Sequence, residues 1–176
     1  ARLIDSSFVS DKAALSLVPY NLELLNNSNP TLNDVNPDLV DINGDNVLDL
    51  LLGDLKGNIY YIESFGNSRL VKNPFGIDDV GGSASPDFID IDNDGDLDFF
   101  SGNRRGNTIY KENIGNRTNT DFSGSELSNP FGISDVGRNA NLTFADIDHD
   151  FDLDLFIGNK AGVVKFYENV GTSTAP

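Results

Sequence analysis

Short apolar runs, four or five residues long, recur along this chain between clusters of Asp, Asn and Gly. Asp87-Phe-Ile-Asp and Leu97-Asp-Phe-Phe alternate or run apolar between turn residues, as do Asn107-Thr-Ile-Tyr and Val163-Val-Lys-Phe-Tyr. Such runs predict β-strands, and no stretch holds a helical period long enough to compete. Three clear strands per unit follow, with a weaker fourth in segments such as Arg69-Leu-Val-Lys.

The units repeat. Asp41-Ile-Asn-Gly-Asp-Asn-Val-Leu-Asp49 aligns with Asp90-Ile-Asp-Asn-Asp-Gly-Asp-Leu-Asp98 and with Asp146-Ile-Asp-His-Asp-Phe-Asp-Leu-Asp154. An apolar run ending in Gly53, Gly102 or Gly158 follows each, then Gly57, Gly106 or Gly162, then Glu63, Glu112 or Glu168 behind Tyr61, Tyr110 or Phe166. Asn-Pro-Phe-Gly-Ile separates the units at 73–77 and 129–133, with a degenerate copy at Asn29-Pro30-Thr31. Starts at 41, 90 and 146 give spacings of 49 and then 56 residues. The difference lies between Gly115 and Asn129, where Asn, Thr and Ser predict a surface loop. Four short strands per roughly 50 residues is the size of a propeller blade. The sequence therefore predicts an all-β chain of about three four-stranded antiparallel blades, or a part or half of a larger propeller. It divides into an N-terminal strand and linker (1–36) and repeats at 37–80, 81–136 and 137–176. Ala14–Val18 or Asn21–Leu25 supplies a strand that could complete the last blade.

Each acidic loop sets oxygen side chains at positions 1, 3, 5 and 9, with a main-chain oxygen at position 7, a pattern that converges on one hard cation. The expected ligands are Asp41, Asn43, Asp45, Val47 (carbonyl) and Asp49 in loop one. In loop two they are Asp90, Asp92, Asp94, Asp96 (carbonyl) and Asp98, and in loop three Asp146, Asp148, Asp150, Asp152 (carbonyl) and Asp154. An all-oxygen set on a flexible loop favours Ca²⁺ over Zn²⁺ and Mg²⁺, about one ion per repeat and three in all. An EF-hand is excluded, because position 12 holds Leu52, Ser101 and Ile157 where it needs Glu. Position 6 wants positive φ. Gly95 suits it, Asn46 tolerates it and Phe151 is poor, so loop three should bind more weakly or depart from the pattern. His149, at position 4, should face solvent.

Composition narrows the partners. Twelve basic against 28 acidic residues give a net charge of −16, which opposes nucleic acid and anionic membranes. The three loops hold 13 of the 28 acids, so three Ca²⁺ would bring the charge to about −10. There is no Cys and a single His, which excludes thiolate and multi-histidine metal sites. Met is missing too, which predicts a processed product or a piece of something longer. No apolar run reaches the roughly 18–20 residues of a membrane span. Arg104 and Arg105 form one basic spot on a predicted turn, and Asn26, Asn116 and Asn141 open glycosylation tripeptides that chance readily supplies.

With these residues in place, the chain resembles the FG-GAP (VCBS-type) repeats, most closely at Asp90–Asn103 and the following Gly106…Tyr110-Lys-Glu-Asn. The resemblance spans roughly Asn29 to Thr172, and the Asn-Pro-Phe-Gly linker looks most like bacterial versions. It implies propeller blades similar to those of the integrin α-subunit head, with Ca²⁺ in the loop joining a blade's first two strands. The function expected is a non-enzymatic, calcium-stabilised adhesion or assembly module outside the cell or on its surface. Its partner would be a protein or glycan surface, and its ring would close as a dimer of six blades or as part of a longer chain. The alternative is a lectin-like propeller using Tyr60, Tyr61, Tyr110, Phe166 or Tyr167. Glu63, Glu112 and Glu168 recur once per unit, whereas a catalytic residue is normally unique.

Overall fold

The computed structural model describes residues 32–64 and 70–171. Asn26, Arg69 and the expected N-terminal strand lie outside that range. Eleven strands form three antiparallel meanders: β1 (Asn36–Val40), β2 (Asp49–Gly53), β3 (Ile59–Ile62) and β4 (Val71–Lys72); β5 (Ser85–Ile89), β6 (Asp98–Gly102), β7 (Thr108–Lys111) and β8 (Leu127–Ser128); then β9 (Asn141–Ala145), β10 (Asp154–Gly158) and β11 (Val164–Tyr167). The first two sheets have four strands, and the third has three among the described residues. The one helical element among them is a single 3-10 turn at Pro74–Gly76. Among the described residues the chain is thus all-β, built of blade-like sheets that do not close into a ring.

Register places the acidic loops. Val40 pairs with Asp49, Ile89 with Asp98 and Ala145 with Asp154, so each loop is the hairpin joining its sheet's first two strands. The return hairpin is held by one side chain. Asn103 Oδ1 accepts from the backbone N–H of Arg105, Gly106 and Asn107, and Asp54 and Asn159 do the same work in the flanking sheets. This Asx turn needs positive φ three residues on, which Gly57, Gly106 and Gly162 supply.

The sheets stack because successive side chains on a strand point to opposite faces. In β6, Phe99 enters a core shared with the first sheet, beside Leu51, Ile59 and Phe88, while Phe100 enters a second core with Leu142, Leu155 and Ile157 of the third. Every residue of β6 and β7 is buried, so the two inner strands of the middle sheet have no solvent face, while its edge strand β8 is exposed. The linkers are layers of these cores. Ile77, Val80 and Ala84 fill the first interface, and Ile133, Val136 and Ala140 fill the second. Phe75 sits edge-on against Tyr61 and Phe131 against Tyr110. Backbone bonds fasten each linker to the sheet before it, including Val80 N to Gly57 O and Ala84 N to Asp54 O, repeated as Val136 N to Gly106 O and Ala140 N to Asn103 O.

One expectation needs correction. The 115–129 insertion is not merely a surface loop, for Phe122 is fully buried in the first core against Phe88 and Phe99. Its backbone is anchored there by Phe122 N to Phe75 O at 2.7 Å and by Lys111 Nζ to Phe122 O at 2.8 Å. Polar composition hid a single aromatic anchor.

The first strands of neighbouring sheets lie side by side, β1 against β5 and β5 against β9. Asp38 on β1 and Asp87 on β5 therefore face each other, and Asp38 Oδ2 is buried with no hydrogen-bond partner. Burial first, and then the charge of Asp38, pushes Asp87 up from 3.8 to about 6. A folded value above the unfolded one means folding favours the protonated form. That contribution is complete below about pH 4 and is lost as pH rises through 6. Asp87→Asn should consequently match the parent's stability below pH 4 and exceed it increasingly between pH 4 and 6, as read from urea midpoints at each pH.

Candidate metal centre

Each acidic loop folds around its own first carboxylate. In loop one, Asp41 Oδ1 accepts from Asp45 N at 3.0 Å and Oδ2 from Asn46 N at 3.1 Å. In loop two, Asp90 does the same with Asp94 N at 3.0 Å and Gly95 N at 3.1 Å. Asp45 and Asp94 each accept from the N–H two residues on, at Val47 and Asp96. These bonds curl the backbone so that alternate side chains turn inward.

The result is convergence. One carboxylate oxygen from each of Asp90, Asp92 and Asp94 lies within 4.8 Å of the others, and the same holds for Asp146, Asp148 and Asp150. Two unit charges at that separation repel by about 1 kcal/mol in water and about 3–4 kcal/mol at the effective dielectric of a protein surface. Either triad can hold a metal ion. Loop one offers Asp41, Asn43 and Asp45, and Arg117 from the insertion lies 3.3 Å from Asp41 Oδ2. Thr120 Oγ1 also donates to Ile42 O at 2.6 Å, so the insertion is docked on this loop.

The position-nine aspartates are placed differently. Asp49, Asp98 and Asp154 are all at most 3% exposed and lie beneath the loops at the start of β2, β6 and β10. One oxygen of each accepts a backbone N–H fifteen residues on, from Ser64, Asn113 and Asn169, at 2.8–2.9 Å. Among the described residues the partner oxygens Asp49 Oδ2 and Asp98 Oδ2 are buried without a hydrogen bond, while Asp154 Oδ2 accepts from Ile147 N at 3.2 Å. Burial above all pushes Asp98 up to about 7. The Asn113 N–H opposes this, and the charges of Asp92, Asp96 and Asp94 add to it. Burial likewise raises Asp49, opposed by the Ser64 N–H and helped by Asp45. An orphaned, buried carboxylate oxygen below converging carboxylates is the donor set a hard cation requires.

The structure brings positions 1, 3 and 5 together in loops two and three, and seats position 9 beneath them. At position 7, Asp96 is buried, Asp152 is half-buried and Val47 is exposed. Loop three keeps the backbone of the others at position 6, with φ of 76° at Phe151 against 65° at Asn46 and 97° at Gly95. That left-handed conformation costs a bulky L-residue about 1–2 kcal/mol, and the Phe151 ring is 88% exposed. The difference lies at position 4, where His149 N, not Asp150 N, donates to Asp146 Oδ1. His149 is exposed and also left-handed, as are Gly44 and Asn93. Sequence reasoning missed two roles here, the position-nine clasp and the second left-handed residue. The Gly and Asn at position 4 were the signal for the latter.

A family model described as an FG-GAP-like repeat matches residues 41–101 and again 90–157, together two thirds of the chain. Both matches start at position 1 of an acidic loop. The chain belongs to the FG-GAP-like repeat family. No curated protein matches it. The FG-GAP repeats here contain no helix, among the described residues, long and apolar enough to cross a membrane. Their recurrent Glu63, Glu112 and Glu168 are exposed, and Tyr60, Tyr61 and Tyr110 are buried.

The two kinds of aspartate should separate on mutation. In EDTA, Asp98→Ala is expected to lower unfolding stability by about 1–3 kcal/mol, because Asn113 N–H loses its buried partner. Asp92→Asn should leave it unchanged or slightly raised, since a repelling charge is removed. Urea unfolding of both variants in chelator provides the comparison.

Proposed function

We propose that this FG-GAP chain is a calcium-stabilised, non-enzymatic module for extracellular adhesion and assembly. The observation that supports it most is the orphaned oxygen of Asp49 and of Asp98, buried beneath loops whose other carboxylates turn inward. In this reading Asp90, Asp92, Asp94 and Asp98 hold one Ca²⁺ with the Asp96 carbonyl. Asp146, Asp148, Asp150 and Asp154 hold a second with the Asp152 carbonyl. Asp41, Asn43, Asp45 and Asp49 hold a third with the Val47 carbonyl, once Arg117 is displaced from Asp41. The ion would neutralise the loop and tie it to the carboxylate that clasps the third strand, so that binding and folding are linked. Extracellular calcium modules fill at about 10⁻⁴–10⁻³ M, which suits a place outside the cell.

Assembly is supported by the third sheet. Phe156 and Phe166, paired at 4.8 Å, occupy the register positions of Phe100 and Tyr110 in the second. Phe100 and Tyr110 are buried beneath the next sheet and its linker, whereas Phe166 is 47% and Val164 66% exposed. The glycines tell the same story. A Cβ on Gly102 would come within 2.1 Å of Ala140 O, while one on Gly158 would meet no described residue within 4 Å. The third sheet thus presents an outgoing face of the kind that its neighbours cover with another blade. Exposed carboxylates that recur in every sheet, as Glu63, Glu112 and Glu168 do, suit solvation more than catalysis. Burial of Tyr60, Tyr61 and Tyr110 favours protein association over a sugar platform built on them.

At ten times its dissociation constant, Ca²⁺ adds about 1.4 kcal/mol per site. Three sites at about 1 mM should then raise the melting temperature by about 10 °C over EDTA, with a much smaller rise from equimolar Mg²⁺. A melting curve indifferent to Ca²⁺ overturns the calcium reading. Sedimentation in millimolar Ca²⁺ should give a mass above 19.1 kDa that Phe166→Ser returns to the monomer. A monomer throughout overturns the association.

A further inference from the structure

Loop one differs from the other two in its charge and in its neighbour. It holds three carboxylates, Asp41, Asp45 and Asp49, where loops two and three hold five each, and Asn43 stands where they have Asp92 and Asp148. It is also reached by a small hairpin from the next sheet. Residues 113–121 double back through Ile114 N to Asp121 O at 2.9 Å and through two backbone bonds between Asn116 and Asn119. Asn113 Oδ1 closes the base by accepting from Gly115 N and Asp121 N. Arg117 and Thr118 form the tip, and Arg117 lies across position 4 of loop one. A Cβ on Gly44 would come within 2.9 Å of Arg117 O and 3.0 Å of its Cγ, so glycine at position 4 makes the room for the arginine. Loops two and three put Asn93 and His149 there, in the same left-handed conformation. The guanidinium ends 3.3 Å from Asp41 Oδ2, the oxygen that also accepts from Asn46 N.

We propose that Arg117 is a tethered competitor for calcium at loop one, so that this site fills after loop two and its filling frees the hairpin tip. The proposal rests on the calcium reading above and assigns the regulation of one of its three sites. Asp41 stands at position 1, and its two oxygens organise the loop through Asp45 N and Asn46 N. A divalent cation on Asp41 would sit beside the guanidinium, and two positive charges in contact repel. Arg117 therefore gives up Asp41 as calcium rises. Tethering makes it an effective competitor, because the hairpin bonds already fix its backbone and less freedom is lost on pairing. Beyond the tip, Phe122 and the bond from Lys111 Nζ to Phe122 O hold the segment in the first core, so the tip can lift while the segment stays anchored. The Arg117 side chain is 60% exposed, which sets the scale of the competition at about two- to fivefold in affinity, the range of exposed ion pairs.

The test is a calcium titration of the full chain followed by amide NMR. Asn46 N–H, bonded to Asp41 Oδ2, reports loop one, and Gly95 N–H, bonded to Asp90 Oδ2, reports loop two. Gly95 should move at the lower calcium concentration, and the Thr118 amide at the hairpin tip should move with Asn46. Arg117→Gln should lower the Asn46 midpoint by about two- to fivefold and leave that of Gly95 unchanged. The difference should shrink in about 0.5 M NaCl, which screens an exposed pair. Gly44→Asn gives loop one the position 4 of loop two and closes the room for the arginine. It should lower the Asn46 midpoint in the same way while the charge stays in the chain. Melting of each variant in EDTA reports whether it folds. An Asn46 midpoint that ignores Arg117→Gln overturns the proposal, and so does one that falls with Gly44→Asn alone. In either case a Gly95 amide that still titrates leaves the calcium reading standing. If neither Asn46 nor Gly95 moves, the calcium reading falls and the proposal falls with it.

Discussion

A buried carboxylate at the start of each second strand carries two duties that physical chemistry sets against each other. One oxygen of Asp49, Asp98 and Asp154 closes the sheet by taking an N–H just beyond the third strand. The other faces the acidic loop above, and in the first two sheets it finds no partner among the described residues. Charge is costly in that position, as the upward displacement of Asp98 to about 7 shows. The residue cannot be neutral and bind a cation, nor charged and comfortable without one. The hairpin, the sheet and the loop thus answer to a single group.

Much of this was legible in the chain. Alternation and turn residues located the strands, and the threefold acidic pattern located the loops, because both depend on contacts within about ten residues. What escaped was decided by longer reach. Phe122 sits in a segment whose composition reads as solvent-exposed, yet its ring finds the gap between two sheets, against Phe88, 34 residues earlier in sequence. The clasp was counted only as a ligand, since nothing local shows that Asp98 meets Asn113. Loop three was expected to weaken or deviate at Phe151. The backbone there keeps its left-handed turn, and the deviation falls two residues earlier at His149.

The linkers explain why the repeat is longer than its strands require. Asn73 and Asn129 are left-handed, and each accepts from the first residue of a third strand, Ile59 N or Thr108 N, capping its edge. The Phe that follows turns back onto a tyrosine of the same sheet. Val80 and Val136 then bond to a hairpin glycine. A linker therefore completes the sheet behind it before the sheet ahead begins.

That ordering has a consequence for how such a chain can change in length. Among the described residues every strand pairs only with its neighbours in sequence, and every linker bonds chiefly to the sheet it leaves. Loop closure stays short and its entropy small. A unit inserted or deleted between one Asn-Pro-Phe-Gly segment and the next leaves the register of every remaining strand untouched. Growth by whole blades is then a step available to gene duplication, where most folds would have to re-pair their sheets.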